Sequence, residues 1–378
     1  MAILIISGLT VAFCLYYGYM VLHLRTGWKR IEPYEMDDVT FVKTRVSVVI
    51  AARNEEQHIA DVVEAILKQD YPASLFELIV VDDHSTDRTS DIVSSYADRG
   101  VKLIRLNMRE ALNSYKKKAI SEAIAQANGE LIVATDADCL MGTHWLKCIV
   151  TLYEQSGYKL ISSPVVYHKE KSCFERLQTL EFLYLIGLGA ATIGLRKPST
   201  CNGANLAYRR DVFYELGGFK GIDDLASGDD ELFLHKVARR YPEAIGFCKA
   251  QDAIVYTTAK RNLSDFITQR RRWASKSTKY KNGKVVAMGV SIWLFNVLIL
   301  ISAVLSPVFP VCGYVLISAL CIKILAEWLF LLPLTHFARK TSLLPLLPLL
   351  SILHVIYIIY IGVAGNTGKY HWKGRFVR

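Results

Sequence analysis

The chain has 378 residues, a formal net charge of +10, 52% hydrophobic residues and a mean hydropathy of +0.24, yet 21% of its residues are charged. That balance is too apolar for an ordinary soluble domain and too charged for a protein held wholly in lipid, so a mixed membrane and soluble chain is expected. Its eight cysteines (14, 139, 148, 173, 201, 248, 312 and 321) form no CxxC pair, which signals neither a disulfide framework nor a zinc site and fits reduced thiols in a reducing compartment.

Residues 2–22, AILIISGLTVAFCLYYGYMVL, are uncharged and long enough to cross a bilayer. A signal peptide would carry its basic residues in front, whereas Arg25, Lys29 and Arg30 follow this run, so residues 1–24 are expected to be a retained transmembrane anchor. The positive-inside rule then places residues 25 onward in the cytoplasm, beginning with a linker over 25–44.

Residues 45–284 are soluble in character. RVSVVIAA (45–52), ELIVVDD (77–83), VKLIRL (101–106) and ELIVAT (130–135) are β-branched apolar runs, and NEEQHIADVVEAILKQD and DRTSDIVSSYADR between them have helical periodicity. This βαβα order predicts an α/β fold with a mainly parallel sheet and helices on both faces. Such sheets bind ligands beyond the carboxyl ends of their strands, which is where Asp82, Asp83, Asp136 and Asp138 fall. Asp136 and Asp138, in LIVATDADCL, can converge on one hard divalent cation through oxygen ligands, with a solvated turn pair as the competing reading. No GxGxxG follows the first strand, which argues against a dinucleotide cofactor.

GLGAATIG (187–194) follows the helix-like run FERLQTLEFLYLI, so its glycines are expected to serve helix packing or membrane-surface contact. The run over 174–195 is expected to be too short to span and to lie at the membrane interface. QRRRWASKSTKYKNGK (269–284) holds seven Lys/Arg and no acid, a second cytoplasmic flank. Apolar runs follow at 285–305, about 310–334 and about 343–364, so residues 285–366 are expected to form C-terminal transmembrane helices, ahead of a basic tail over 367–378. Three spans would carry that tail outside, against the positive-inside rule, so the last run, with Pro345, Pro348 and His354, is also compatible with a re-entrant or interfacial course. Lys323 and Glu327 sit at i, i+4 within the second run, either as an intrahelical pair or as part of a transport path.

VSVVIAARNEE (46–56), VVDDHSTD (80–87), TDADC (135–139), SGDDEL (227–232) and QRRRW (269–273) occur in the order of the family 2 glycosyltransferases, and the set resembles their membrane-bound branch of cellulose, chitin and hyaluronan synthases. The resemblance covers the region 45–284 and implies a GT-A-like nucleotide-sugar-binding domain. It implies that Glu55, Asp82 and Asp83 contact base and ribose, that Asp136 and Asp138 hold the sugar diphosphate and a Mg2+ or Mn2+ ion, and that Asp230 is the catalytic base. Asp229 stands where the family usually has Glu. Like-charge crowding among Asp229, Asp230 and Glu231 would favour base function, against the competing reading of an acidic helix start facing solvent. Gln269, Arg272 and Trp273 align with a Gln-x-x-Arg-Trp signature that serves acceptor and diphosphate, while Arg270 and Arg271 fill variable places.

Lys116 aligns with a family lysine, but Tyr115 replaces the glycine before it, so a phosphate role competes with a solvated lysine face. CNGANLAYRRDVFYELGGF (201–219) also resembles the family's segment near the acceptor, which implies that Asn202, Gly203 and Ala204 line that pocket, where small residues permit close approach of a sugar. The expected activity is inverting transfer from a UDP-linked sugar to a growing polysaccharide or oligosaccharide at the membrane. The alternatives are addition of one sugar to a membrane lipid and, from another class, a transporter with a nucleotide-sensing domain. Expected partners are the nucleotide-sugar donor, a carbohydrate or lipid acceptor and membrane lipids, with room for an oligomer or accessory subunits and no nucleic acid. The expected setting is a multi-pass membrane protein with a cytoplasmic catalytic domain.

Overall fold

A computed structural model describes the chain except residues 35–40, 108–113, 226, 277–279, 281–282, 366–369, 373–374 and 378. Much of the expected basic tail over 367–378 therefore lies outside the described residues. In chain order the elements are α1 (Ala2–Arg30), β1 (Val46–Ala52), α2 (Ile59–Leu67), β2 (Phe76–Asp82), α3 (Thr89–Ser94), β3 (Val101–Arg105), α4 (Tyr115–Gln126), β4 (Leu131–Asp136), β5 (Leu140–Met141), α5 (Trp145–Ser156), β6 (Leu160–Ser162) and β7 (Val165–Tyr167). They continue with α6 (Cys173–Gly194), β8 (Leu206–Arg209), α7 (Arg210–Glu215), α8 (Glu231–Arg240), β9 (Ile245–Phe247), β10 (Val255–Thr257), α9 (Leu263–Ser275), α10 (Gly283–Leu305), α11 (Pro310–Phe337) and α12 (Leu347–Ala364). The chain divides into two compact units: one holds residues 1–29, 170–191 and 259–370, the other 30–169, 192–258 and 371–378.

The second unit is built on a seven-stranded sheet of order β3-β2-β1-β4-β8-β6-β9. Its first four strands are mutually parallel, β8 runs antiparallel to both β4 and β6, and β9 is parallel to β6. A smaller sheet has the order β5-β10-β7. The central strands are buried almost throughout, as expected of parallel strands covered on both faces. Helix α2 shows why the period matters: Ile59, Val62, Val63 and Ile66 fall on one stripe and are fully buried, each stabilising by roughly 1.5–3 kcal/mol.

Strand order reverses at β1, with β2 and β3 on one side and β4 on the other. In this register Asp82 lies opposite Ala52 and Asp136 opposite Ala51, so both acids emerge beside the carboxyl end of β1, at the switch point where open α/β sheets bind ligands. Gly129 sets the approach to β4, because a Cβ there would lie 2.4 Å from the Ser47 amide nitrogen. Its N–H donates to Ser47 Oγ (2.9 Å), and that hydroxyl donates to Glu77 Oε1 (2.7 Å). Burial works to raise the Glu77 carboxyl, but Lys102, the Asn128 amide and Ser47 outweigh it and hold the group at about 2.

The other unit is helical. Helices α1, α6, α10 and α11, and the segment Thr341–Ala364 containing α12, are each long and apolar enough to cross a membrane. Helix α6 falls within a residue of the expected run 174–195, and on length and composition its 22 residues join the candidate spans, although that run was expected to be too short. A Cβ on Gly187 would lie 2.3 Å from Leu334 Cδ1, so that glycine lets α6 approach α11, as the helix-packing reading anticipated. Lys323 and Glu327 form a buried i, i+4 pair within α11, and the glutamate also accepts from Tyr17 of α1 and Ser351 of α12. The intrahelical reading of that pair holds, with the charges locked among three helices.

Candidate active site

The loops after β1 and β2 are laced together by hydrogen bonds. Asn54 and His84 adopt left-handed backbone, with φ of 52° and 55°, a conformation that Asn and His tolerate better than branched residues. The Asn54 N–H donates to Ser85 Oγ (3.0 Å), and its side-chain oxygen accepts from the Thr86 N–H (2.8 Å). The Glu55 N–H donates to Thr89 Oγ1 (2.8 Å), and Arg53 Nη1 donates to the carbonyls of Asp83 (2.9 Å) and His84 (3.2 Å). Asp82 and Asp83 are both buried; Asp82 Oδ1 accepts from the Ser85 N–H (3.3 Å), and Asp83 Oδ1 contacts His84 Nδ1 at 2.9 Å. The turn-cap reading of Asp82 thus has a real bond, and the same bond fixes the carboxylate at the strand end.

Asp136 closes β4, and Asp138 and Cys139 follow in the turn, with one ligand atom from each lying within 4.8 Å of the others. Two partly exposed carboxylates offer oxygen donors of the kind a hard divalent cation takes, so the donor set fits Mg2+ or Mn2+. Cys139 has a different part. Its thiol approaches Asp138 Oδ1 at 3.6 Å, and burial, reinforced by Asp138 and Asp136, raises the thiol far above its ordinary range, so it stays protonated as a donor.

Lys116, in the first turn of α4, reaches across this edge. Its Nζ lies 2.7 Å from Asp136 Oδ1 and 3.2 Å from Asp229 Oδ2, joining the end of β4 to the segment before α8. Burial alone would lower this ammonium, but Asp136 and Asp229 outweigh it and hold it well above the usual lysine range. The solvated-face reading of Lys116 does not describe this geometry.

Asp230 caps α8. Its Oδ1 accepts from the Glu231 N–H (2.7 Å) and its Oδ2 from the Gly203 N–H (3.0 Å). Gly203 suits that approach, since a Cβ would make tight 3.3 Å contacts with both Asp229 Oδ2 and Asp230 Cβ. Asn202 accepts from the Ala204 N–H (2.9 Å), and the Ala204 carbonyl accepts from Thr135 Oγ1 (2.9 Å), so the segment 202–204 is tied to β4 as well as to Asp230. Glu231 is buried and accepts from Thr200 Oγ1 (2.9 Å). The acidic helix start is therefore turned inward. Behind it, fully buried Asn205 accepts from Trp145 Nε1 (2.9 Å) and donates to the carbonyls of Pro164 and Ala253 (2.8 Å each), a closed network that holds this segment.

One unit thus gathers Glu55, Asp82, Asp83, Lys116, Asp136, Asp138, Asn202, Gly203 and Asp230. Gln269, Arg272 and Trp273 lie on α9 of the helical unit. There Trp273 stacks on Phe182 at 6.0 Å, and Arg270 lies 4.3 Å from the indole centroid. Arg270 is also buried in a two-pronged pair with Glu181 (3.2 and 2.7 Å), and it donates to Gln269 Oε1 (2.7 Å). The position taken as variable carries a buried charge pair. Arg53, Asn205 and Arg270 escaped sequence reasoning.

Comparison with known proteins places this geometry. Residues 47–217 match the family model described as glycosyl transferase family 2. A probable glycosyltransferase, YdaM of Bacillus subtilis, is 30% identical over 239 residues, covering 61% of this chain and 54% of that protein, so the chain spans about half the length of this relative. The β-monoglucosyldiacylglycerol synthase of Nostoc is 31% identical over 110 residues, 29% of this chain and 24% of that protein. Among solved structures, the mannosyltransferase PcManGT of Pyrobaculum calidifontis, in complex with GDP-Man and Mn2+, superposes with a TM-score of 0.61 at 18% identity over 93% of this chain and 99% of that one. The strand-end acids Asp82, Asp83, Asp136 and Asp138 all fall within the span 47–217 that matches glycosyl transferase family 2, and the fold that carries them is GT-A-like.

Proposed function

We propose that this protein transfers a sugar, with inversion, from a UDP-linked donor to a hydroxyl of a growing polysaccharide or oligosaccharide at a membrane. The observation that carries the reading is the Lys116 bridge, which brings the strand-end acid Asp136 and the Asp229–Asp230 pair within reach of one ammonium. In this reading Glu55, Asp82 and Asp83 receive the base and ribose, and the rigid lacing of their loops prepays part of the ordering cost of binding. A divalent cation, Mg2+ or Mn2+, held by Asp136 and Asp138 would supply charge neutralisation at the departing diphosphate. Lys116 faces the same phosphates.

Asp230 takes the proton of the acceptor hydroxyl as the acceptor oxygen bonds to the anomeric carbon and the diphosphate departs with the electron pair of the broken bond. Two backbone N–H groups hold Asp230 in one orientation for that transfer. Asn202 and Gly203 border the acceptor, and Gln269, Arg272 and Trp273 serve acceptor and diphosphate. The basic flanks after residue 24 and over 269–284 support a cytoplasmic site. Glu327, which accepts from Lys323, Tyr17 and Ser351, acts with Lys323 as a helix lock in this reading and not as a transport path.

A single transfer to a membrane lipid is the second reading, favoured by the likeness to a diacylglycerol-sugar synthase. Membranes containing the protein are to be screened with radiolabelled UDP- and GDP-sugars plus Mg2+ or Mn2+, and the products sized. A ladder supports elongation, one added sugar on an organic-extractable product supports lipid modification, and no incorporation from any donor refutes the transferase reading.

A further inference from the structure

We propose that Lys117 is a positioning residue that holds the catalytic-base segment in register by clamping two backbone carbonyls just ahead of Asp229 and Asp230. The inference rests on the transferase reading above, in which Asp230 is the base.

Lys116 and Lys117 are adjacent in α4, so their side chains leave the helix about 100° apart. Lys116 meets carboxylates, whereas Lys117 goes inward. Its side chain is 1% exposed, and Nζ donates to the carbonyl oxygens of Leu225 (2.6 Å) and Ser227 (2.7 Å). These carbonyls lie 108 and 110 residues along the chain from the lysine, so the clamp is purely tertiary.

Downstream of the clamp the backbone has little freedom. Gly228 is left-handed at φ +86°, and a Cβ there would lie 2.9 Å from Leu232 Cδ1. Asp229 then meets Lys116, and Asp230 caps α8 while bonding the Gly203 N–H. Gly203 and the Glu231 amide fix the far side of Asp230, and Lys117 fixes the near side.

A buried ammonium whose direct partners are carbonyls is costly. Burial lowers Lys117 to about 8, although Asp229, Asp230, Asp224 and Asp223 pull in the other direction. A methionine would fill the same slot without that cost, which marks the ammonium as serving the segment it binds. Its donors bind the backbone that carries the base, so their loss should move Asp230 relative to the acceptor while leaving the strand-end donor cradle in place. A displacement on the order of 1 Å is enough to cost about 100-fold in rate.

The test compares full-length Lys117→Met and Lys117→Arg with wild type in detergent. The readouts are transfer kinetics, Mn2+-dependent binding of the nucleotide sugar by calorimetry, and hydrogen exchange of the peptide covering 227–232. For Lys117→Met the expectation is kcat lowered about 10- to 100-fold, donor affinity within about threefold of wild type, and faster exchange confined to 227–232. Lys117→Arg, which keeps charged donors, should recover a substantial part of kcat and of the protection. A Lys117→Met protein with wild-type kcat and unchanged exchange overturns the proposal. So does one whose donor binding and whole-sheet protection collapse together, since that marks a general structural role. If wild type itself transfers no sugar, the transferase reading fails, and the exchange comparison still decides whether Lys117 holds this segment.

Discussion

Asp230→Asn separates the base from the donor site. An asparagine remains a good N-cap, so its carbonyl oxygen can keep the 2.7 Å bond from the Glu231 amide and α8 should start as before. The other oxygen is replaced by NH2, which then faces the Gly203 N–H across the present 3.0 Å, donor against donor. Losing one charge-assisted bond costs about 1.5–3 kcal/mol of stability, well below what unfolds a domain of this size. The effect on turnover should be larger, because the amide cannot accept the acceptor's proton: a fall of about 100- to 10,000-fold in kcat, or about 3–5 kcal/mol in barrier. The nucleotide-sugar cradle proposed at β1, β2 and β4 is untouched, so donor affinity with Mn2+, measured by calorimetry in detergent, should stay within about threefold. Wild-type kcat in this variant would refute the assignment of the base, and an equal loss of donor affinity would make Asp230 a donor ligand.

Three further outcomes are expected. Asp138→Asn removes a charged oxygen beside Asp136, so transfer at limiting Mn2+ should drop by about 100-fold or more, partly restored at high metal; unchanged metal dependence in a titration would remove Asp138 from the metal site. Glu77, held at about 2 against an ordinary carboxyl near 4.5, contributes stability that is full above about pH 5 and is lost as pH falls towards 2; Glu77→Gln should cost about 2 kcal/mol at pH 7 and flatten the acid limb of a thermal-midpoint profile, and an unaltered profile would sink the idea. Arg270→Met strands Glu181 in a buried site and should destabilise by about 3 kcal/mol, whereas adding Glu181→Gln should recover part of it; thermal inactivation of both variants tests this, and no recovery in the double variant argues against a dominant charge pair.

The four parallel strands were legible because each is a short β-branched run whose burial follows from composition alone, and their observed bounds fall within about a residue of those runs. Asp82, Asp83, Asp136 and Asp138 were legible for the same local reason, standing where such runs end. The bounds of helix α6 were legible to within a residue, but its charged first turns made the run look interfacial, whereas on length and composition it is one of the candidate spans. Lys116 was left between two readings, and the sequence offered no means to choose, since the choice depends on Asp229 arriving from a distant segment.

Chain order and local pattern therefore determined which residues could become strands, spans and strand-end acids. Tertiary structure decided which charges meet. Lys116 reaches Asp229, Lys117 clamps carbonyls about 110 residues away, and Arg270, at a position that looked variable, is buried against Glu181. The physical reason is range: periodicity and propensity act within a few residues, whereas a buried charge takes whichever partner the packed topology brings within about 3 Å.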